Sequence, residues 1–402
     1  MKILLATFWA IPGRGGVWPL MNSIKEKLES LGHEVDILGK LHGGLGYQII
    51  NKNWVVKNKQ LLPILNNPLN KNNVPQFNAH QRNRYCMELA ATYFGLEQYD
   101  IIHTHDVIST RCLSRVKPKK TPLITSIHGA LARESTHSYK TPNPNAVIQQ
   151  IKKTQHGRYY WTLEKLGLNS ADLIHTSSYW MRNLLIKDYS VSDNGIVSFQ
   201  YGIDIEKFLA KMNNKTGINK PLDRKVILYT GRLVQIKGIN FLIHALSQLK
   251  RVRNDWVCWI VGEGRMKNEL QQLSAQLGLN RYVKFLGARD DVPALLKLAD
   301  IFVLPSLQDN MPLSIIEAQL AGKAIVTSNA GGIPEMVNHG VTGLIAPAGR
   351  SIPLYKHIKT LIENDSFRNG ISSNTKEWAM QHWSIDLMID RILTIYKQML
   401  FK

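Results

Sequence analysis

Two carboxylates stand eight positions apart in the stretch "SLQDNMPLSIIEAQLAGKAIVTSNAGGIPE" (306–335), Asp309 and Glu317. Pro312 and Gly322 frame an apolar run that reads as a helix beginning at Asn310 or Met311, with the proline in its first turn and the glycine at its end. Amides near Leu313 and Ser314 would then be free, and the helix dipole would favour a bound anion. Glu317 falls in the second turn, where a carboxylate can reach a sugar hydroxyl, and Asp309 sits in the preceding loop. A second pair, Arg232 and Lys237 in "TGRLVQIKG" (230–238), can converge on a phosphate. Arginine brings forked hydrogen bonds and lysine a mobile point charge. In "GRGGV" (13–17), Gly15 and Gly16 let the backbone approach an anion just before a helix. His128 closes the strand of "TSIHG" (125–129). "HTHD" (103–106) places His103 and His105 on one side of a strand end, and His105 and Asp106 are the acceptor-side candidates. Two histidines do not make a metal site, and no third ligand is apparent, so no metal is expected.

These residues need strands that deliver them to one edge. "KILLAT" (2–7), "EVDILG" (34–39), "DIIHTH" (100–105), "PLITSIH" (122–128), "ADLIHTSS" (171–178) and "GIVSFQYG" (195–202) are apolar and β-branched, with polar carboxyl ends. Buried parallel strands look like this. "MNSIKEKLESLG" (21–32) reads as an amphipathic helix closed by Gly32. The pattern restarts with "KVILYTG" (225–231), "WVCWIVGEG" (256–264), "YVKFLG" (282–287), "DIFVLPS" (300–306), "AGKAIVTS" (321–328) and "GLIAP" (343–347), with helices between them. Two series of βα units predict an α/β chain of two Rossmann-like, doubly wound domains, with ligands at the carboxyl ends of the strands. The boundaries read as 1–202 and 203–381, followed by a final amphipathic helix, 382–402. Ile385, Met388, Ile392 and Tyr396 form that helix's apolar stripe, with Trp383 beside it. Residues 40–85, rich in Asn, Lys and Gly, read as an irregular insertion on the first domain.

The chain has 402 residues, 44% of them hydrophobic, which is too long for one ordinary core. No run of eighteen apolar residues predicts a membrane span. The amino-terminal apolar run breaks at Pro12-Gly13 without a cleavage pattern, so it reads as a first strand rather than a signal peptide. Three widely spaced cysteines give neither a disulfide framework nor a zinc pattern. The formal charge is +20, with 24 Lys and Arg against 13 Asp and Glu in residues 1–200 and 26 against 17 in the remainder. The excess covers both halves and favours anionic partners. No nucleic-acid-binding signature accompanies it, so nucleic acid is not expected.

From Thr230 to Gly349 the motifs "GRLVQIKG", "IVGEGRMKNEL", "VKFLG", "LPSLQDNMPLSIIEAQLAGKAIVTSNAGGIPEMV" and "GVTGLIAPAG" follow one another in a known order. The chain resembles the GT-B glycosyltransferases of the large retaining group called family 4, over nearly its whole length. That resemblance implies two Rossmann-like domains facing a central cleft, with the final helix, 382–402, crossing back to pack on the first domain. It implies a nucleotide-diphospho-sugar donor, UDP-linked rather than GDP-linked, and no other cofactor. Arg232 and Lys237 match the diphosphate-binding cations, and Glu317 matches the ribose acid. Gly16, with Gly15 beside it, matches the loop whose amide meets the pyrophosphate. His128 matches the histidine beside the donor sugar, and Phe285 and Leu286 match the nucleobase contact. Asn310, Met311, Pro312 and Leu313 belong to the donor loop. The family's first acid is usually Glu; here it is Asp309, one methylene shorter, which bears on which sugar is held.

The expected reaction is sugar transfer with retention at the anomeric carbon. The departing phosphate would be neutralised by Arg232, Lys237 and helix amides rather than by a metal. The acceptor would be a glycan or a lipid-linked molecule in polysaccharide or envelope synthesis, and the location cytoplasmic, with peripheral membrane contact left open. "IKKTQHGRYYWTLEKL" (151–166) mixes Lys152, Lys153 and Arg158 with Tyr159, Tyr160 and Trp161. Such a segment can lie on an anionic bilayer, or be a solvated helix whose aromatics face the core. "RCLSRVKPKK" (111–120) is a second basic candidate. Rival readings are a GT-B epimerase or phosphorylase, and a catalytically silent sugar-nucleotide-binding protein of envelope assembly.

Overall fold

The structure is a computed structural model, and it describes residues 1–13, 15–65, 78–136, 150 and 152–401. The centre of the 40–85 stretch, Arg14 of the first glycine loop and Ile151 of the basic-aromatic stretch lie outside the described residues. The chain divides into two compact units. Unit 1 comprises Met1–Ser177, Met181–Phe199 and Asp386–Lys402, and unit 2 comprises Ser178–Trp180 and Gln200–Ile385.

Unit 1 is built on an eight-stranded sheet: β1 (Lys2–Ala10), β2 (Glu34–Lys40), β3 (Gly46–Ile49), β4 (Trp54–Lys57), β5 (Ile101–Thr104), β6 (Leu123–Ile127), β7 (Leu173–Thr176) and β8 (Ile196–Ser198). The order across the sheet is β4-β3-β2-β1-β5-β6-β7-β8. From β2 to β8 every pairing is parallel. The first run of β1, Ile3–Ala6, is fully buried because helices cover both faces of a parallel sheet.

Two expectations fail here. Residues 40–65 are not irregular. β3 is antiparallel to β2, and β4 antiparallel to β3, so a hairpin extends the sheet at its edge. The helix Asn58–Leu65 follows, and after the undescribed stretch the helix Ala79–Phe94 begins on an Asn78–Gln81 capping box. Four-residue strands such as "GYQI" and "WVVK" carry too little alternation to stand out from their polar flanks. The last strand, read as 195–202, is only Ile196–Ser198.

Unit 2 holds six parallel strands: β9 (Lys225–Thr230), β10 (Trp256–Val261), β11 (Val283–Gly287), β12 (Ile301–Leu304), β13 (Ala324–Ser328) and β14 (Leu344–Ala346). Their order is β11-β10-β9-β12-β13-β14. The strand order reverses direction between β9 and β12, and such a switch point opens a crevice at the carboxyl ends. Trp256 and Trp259 of β10 are fully buried, each contributing about 2–3 kcal/mol of apolar burial.

The final helix spans Ile385–Leu400, with Ile385, Met388, Ile392 and Tyr396 all buried. It starts three residues later than its pattern suggested, because Asp365–His382 forms a separate helix and the chain breaks at Trp383-Ser384. The break is held within unit 2. The Trp383 indole donates to Gln319 Oε1 at 2.7 Å, the Ile203 amide donates to Trp383 O at 2.9 Å, and the Ile385 amide donates to Ile203 O at 3.1 Å. Residues 202–203 and 384–385 thus run side by side as a short parallel pair. Gly202 is needed there, since a Cβ would lie 2.2 Å from Ser384 O.

Candidate functional site

In unit 2 the called residues gather at the carboxyl ends of β9, β11 and β12. Beyond β9 the chain passes Gly231 and Arg232 and forms a single 3-10 turn, Gln235–Lys237. Cross-links lace this loop to its neighbours. Gly231 N donates to Val261 O at 3.0 Å, Leu233 N to Glu263 O at 2.9 Å, and Leu307 N to Ile236 O at 2.7 Å. Arg232 is exposed, and its guanidinium meets no carboxylate among the described residues. Lys237 is paired: its Nζ lies 2.5 Å from Asp309 Oδ2, with both side chains about one-seventh exposed, 13% and 14%. Ser306 Oγ donates to the same oxygen at 2.9 Å.

Asp309 is fixed through its backbone as well, because Gly332 N donates to Asp309 O at 3.0 Å. Gly331 permits this approach. Its φ is +61°, and a Cβ there would lie 1.8 Å from Asp309 O. Asn310 and Met311 are buried at 4% exposure each.

The helix after the loop is Leu313–Leu320. It begins two or three residues later than expected. Pro312 has extended backbone (φ −69°, ψ 121°), so it is the capping residue and not part of the first turn. No side chain caps this amino terminus, which leaves its dipole and leading amides for another partner. Glu317 lies in the second turn. Burial pushes its carboxyl up to about 7, against a smaller opposing pull from Lys211, although part of the side chain keeps solvent contact. No hydrogen-bond partner within the described protein satisfies it. A half-buried carboxylate without a donor is suited to accepting hydroxyl hydrogens from a ligand. Phe285 and Leu286 are half-buried near the end of β11.

In unit 1, Gly16 caps the helix Val17–Ser30 with no side-chain hydrogen bond, and Gly15 and Gly16 are exposed. His128 follows β6, half-buried, with Nε2 3.0 Å from His105 Nδ1. Burial drives the His128 ring down to about 3, so it is neutral near pH 7. His105 is 1% exposed. Asp106 is a helix cap: Oδ1 accepts from Ile108 N and Ser109 N, and Oδ2 from Thr7 Oγ1 and Phe8 N, at 2.7–2.9 Å. Four bonds use a carboxylate's full accepting capacity. Both acceptor-side candidates are therefore engaged inside unit 1. Ser306, which shares Asp309 with Lys237, was missed; a serine three residues before an acid carries no distinctive signal.

The basic-aromatic stretch forms the helix Gln155–Leu168. Lys153 and Arg158 are exposed, while Tyr159, Tyr160 and Trp161 are half-buried, with Tyr159 Oη 2.7 Å from His80 Nδ1. Among the described residues no helix is long and apolar enough to cross a membrane.

Comparison with known proteins adds an independent line. Residues 14–207 match the family described as Glycosyltransferase Family 4, and residues 211–378 match Glycosyl transferases group 1. An uncharacterised glycosyltransferase of Methanocaldococcus jannaschii is 27% identical over 99% of this chain and 98% of its own. The UDP-Gal:alpha-D-GlcNAc-diphosphoundecaprenol alpha-1,3-galactosyltransferase of Escherichia coli is 27% identical over 75% of this chain and 76% of its own. The fold is shared with Anabaena Alr3699/HepE, solved in complex with UDP-glucose. The TM-score is 0.70 at 21% identity, covering 99% of this chain and 100% of that one.

Proposed function

Because the chain belongs to the GT-B glycosyltransferases of family 4 and group 1, we propose that it moves a sugar from a UDP-linked donor to a glycan or lipid-linked acceptor with retention at the anomeric carbon. The observation that carries the reading is the chemistry collected at one edge of the unit 2 sheet. It consists of Arg232, which meets no carboxylate among the described residues, Lys237 within 2.5 Å of Asp309, a helix amino terminus with no side-chain cap, and Glu317, whose carboxylate has no hydrogen-bond partner among the described residues. Two cations and a helix terminus suit a diphosphate, and a carboxylate in the second turn suits the ribose diol.

In this reading Phe285 and Leu286 meet the base, and the Asn310–Leu313 loop meets the diphosphate and sugar. Gly15 and Gly16 offer amides to the pyrophosphate, and His128 attends the sugar. As the glycosidic bond to phosphate lengthens, negative charge grows on the leaving diphosphate. Arg232, Lys237 and the helix amides oppose it, so the protein's own groups supply the stabilisation and the reaction needs no metal. Removing one such donor typically costs roughly 100- to 1000-fold in turnover. Asp309 holds Lys237 until the donor arrives and then faces the sugar hydroxyls.

The lipid-diphosphate acceptors named for similar transferases favour a role in envelope or polysaccharide assembly. They also favour a cytoplasmic location with peripheral contact at an anionic membrane face. The exposed Lys153 and Arg158 are the candidate contacts.

The test is a thermal-shift screen of UDP- and GDP-sugars, followed by proton NMR of the product's anomeric configuration. Stabilisation by a UDP-sugar, an axial-to-axial outcome and loss of transfer in Lys237→Ala are expected. An inverted product, dependence on inorganic phosphate, or unchanged transfer in Lys237→Ala would overturn the reading.

A further inference from the structure

Unit 1 holds two half-buried cations that no acid answers. Lys40 ends β2, and Arg84 lies one turn beyond His80 on the helix Ala79–Phe94. Among the described residues neither forms an ion pair, and the acids nearest in sequence are engaged elsewhere. Asp36 pairs with Lys52 at 3.2 Å, and Glu88 pairs with Arg115 at 3.3 Å. A guanidinium has many hydrogens to place. Arg84 Nε is buried with no partner, and Nη1 makes one long bond, 3.4 Å, to Tyr159 Oη.

Aromatic rings join the two cations into one patch. Lys40 Nζ lies 5.8 Å from the centre of the Phe8 ring, and the His80 ring lies 5.4 Å from the same centre. His80 Nδ1 is 2.7 Å from the Tyr159 oxygen that Arg84 also meets. Burial lowers the proton affinity of His80, and the charges of Arg84 and Lys40 lower it further, so the ring is neutral near pH 7. The patch lies where β1 and β2 end, and ligands of parallel sheets collect at carboxyl ends. Trp9 stands beside it, edge-on to Phe8 and 50% exposed.

A structural role does not explain this arrangement. Withdrawing a cation from water is unfavourable unless an anion replaces the water. Burial accordingly lowers the proton affinity of Lys40, and a ring contact at 5.8 Å offsets little of that cost. The group that would complete the patch is an anion shared by two cations and a neutral imidazole. A phosphate ester has the oxygens for it, and arginine grips two of them at once. The exposed indole alongside fits an anion that carries an apolar chain or a sugar, rather than a bare ion.

We propose that Lys40, His80 and Arg84 form a phosphate subsite in unit 1 that holds the diphosphate of the acceptor, with Trp9 packed on the chain or sugar joined to it. The assignment to the acceptor rests on the transfer reading above; the phosphate subsite does not.

The test is calorimetry of the full chain saturated with UDP, so that added diphosphates report on a site other than the donor's. The probes are farnesyl diphosphate, below its micelle concentration, and inorganic pyrophosphate. Both should bind at a single site, farnesyl diphosphate the more tightly, and Lys237→Ala should bind them as wild type does. Lys40→Gln and Arg84→Gln should each weaken both probes roughly 10- to 100-fold and leave UDP affinity unchanged. Trp9→Ala should weaken farnesyl diphosphate alone, by roughly three- to tenfold. Lys40→Gln loses no ion pair and should melt no lower than wild type, so its result does not depend on damaged folding. Absence of binding, or affinities that neither cation variant changes, overturns the subsite. UDP affinity that falls in the same variants assigns the patch to the donor and overturns the acceptor role. Pyrophosphate bound as tightly as farnesyl diphosphate overturns it too, in favour of a free phosphate ligand. If the probes bind as expected but no sugar reaches any lipid diphosphate, the transfer reading fails and the phosphate subsite stands.

Discussion

Replacing Glu317 with Gln should make the free protein more stable and its donor binding weaker. The carboxyl is raised from its ordinary 4.5 to about 7 by burial. Its folded pKa therefore lies above its unfolded value, and the folded state binds the extra proton between those limits. Stability falls as pH rises through that window; the penalty is complete above pH 7 and absent well below 4.5. Complete burial would make the full penalty about 3 kcal/mol. The carboxylate keeps some solvent contact, so about 2 kcal/mol is the working figure. Glu317→Gln removes it. At pH 8 the melting temperature of unit 2 should rise by roughly 4–8 °C, given about 2–4 °C per kcal/mol for a unit of this size. At pH 5 the gain should shrink to roughly a third.

Binding moves the other way. A hydrogen bond to a charged group is worth about 1.5–3 kcal/mol, so affinity for a UDP-sugar should drop roughly 10- to 100-fold. Ribose hydroxyls favour the ionised carboxylate, so wild-type binding near pH 7 should release a proton. Calorimetry in buffers of different ionisation enthalpy detects this release, which should vanish in the variant. The sugar donor is the right probe because its diphosphate does not titrate near neutrality. A variant no more stable at pH 8 than wild type would refute the burial argument. Unchanged affinity and proton release would refute the ribose assignment.

Asp309→Asn should free Lys237 from the carboxylate 2.5 Å away. UDP should then bind about fivefold tighter, the worth of a partly buried ion pair near 1 kcal/mol, while turnover falls; weaker UDP binding by calorimetry would contradict the exchange of Lys237 between carboxylate and diphosphate. Gly331→Ala forces a methyl to 1.8 Å from Asp309 O at a φ of +61°. It should cost about 2–3 kcal/mol or more in urea unfolding and impair transfer, and an unchanged midpoint would show that the loop shifts freely.

The parallel strands of unit 2 were plain in the sequence because a strand buried on both faces is a short, unbroken apolar word. "WVCWIV" and "IFVL" have no other comfortable reading beside Gly and Pro punctuation. The β3–β4 hairpin was not, since Gln48 and Lys57 dilute a signal only four residues long. The start of the Leu313–Leu320 helix was misplaced because proline serves equally well at a cap and in a first turn. At the site, residue types were readable one at a time and their pairings were not. Lys237 and Asp309 are 72 positions apart and Ser306 looked ordinary. His103 could be singled out, but its hydrogen bond to Tyr396 crosses 293 positions.

The seam at Gly202 and Ser384 makes unit 2 a cassette. Its main stretch, Gln200–Ile385, begins and ends at one doorway, with the first and last backbones hydrogen-bonded to each other. A long excursion whose ends are already clasped adds little closure entropy to the chain that hosts it. Residues 200–385 are therefore one long excursion closed at its base, and only Ser178–Trp180 join unit 2 from elsewhere in the chain. Gly202 is the latch on that doorway: any side chain there would prise the two strands apart.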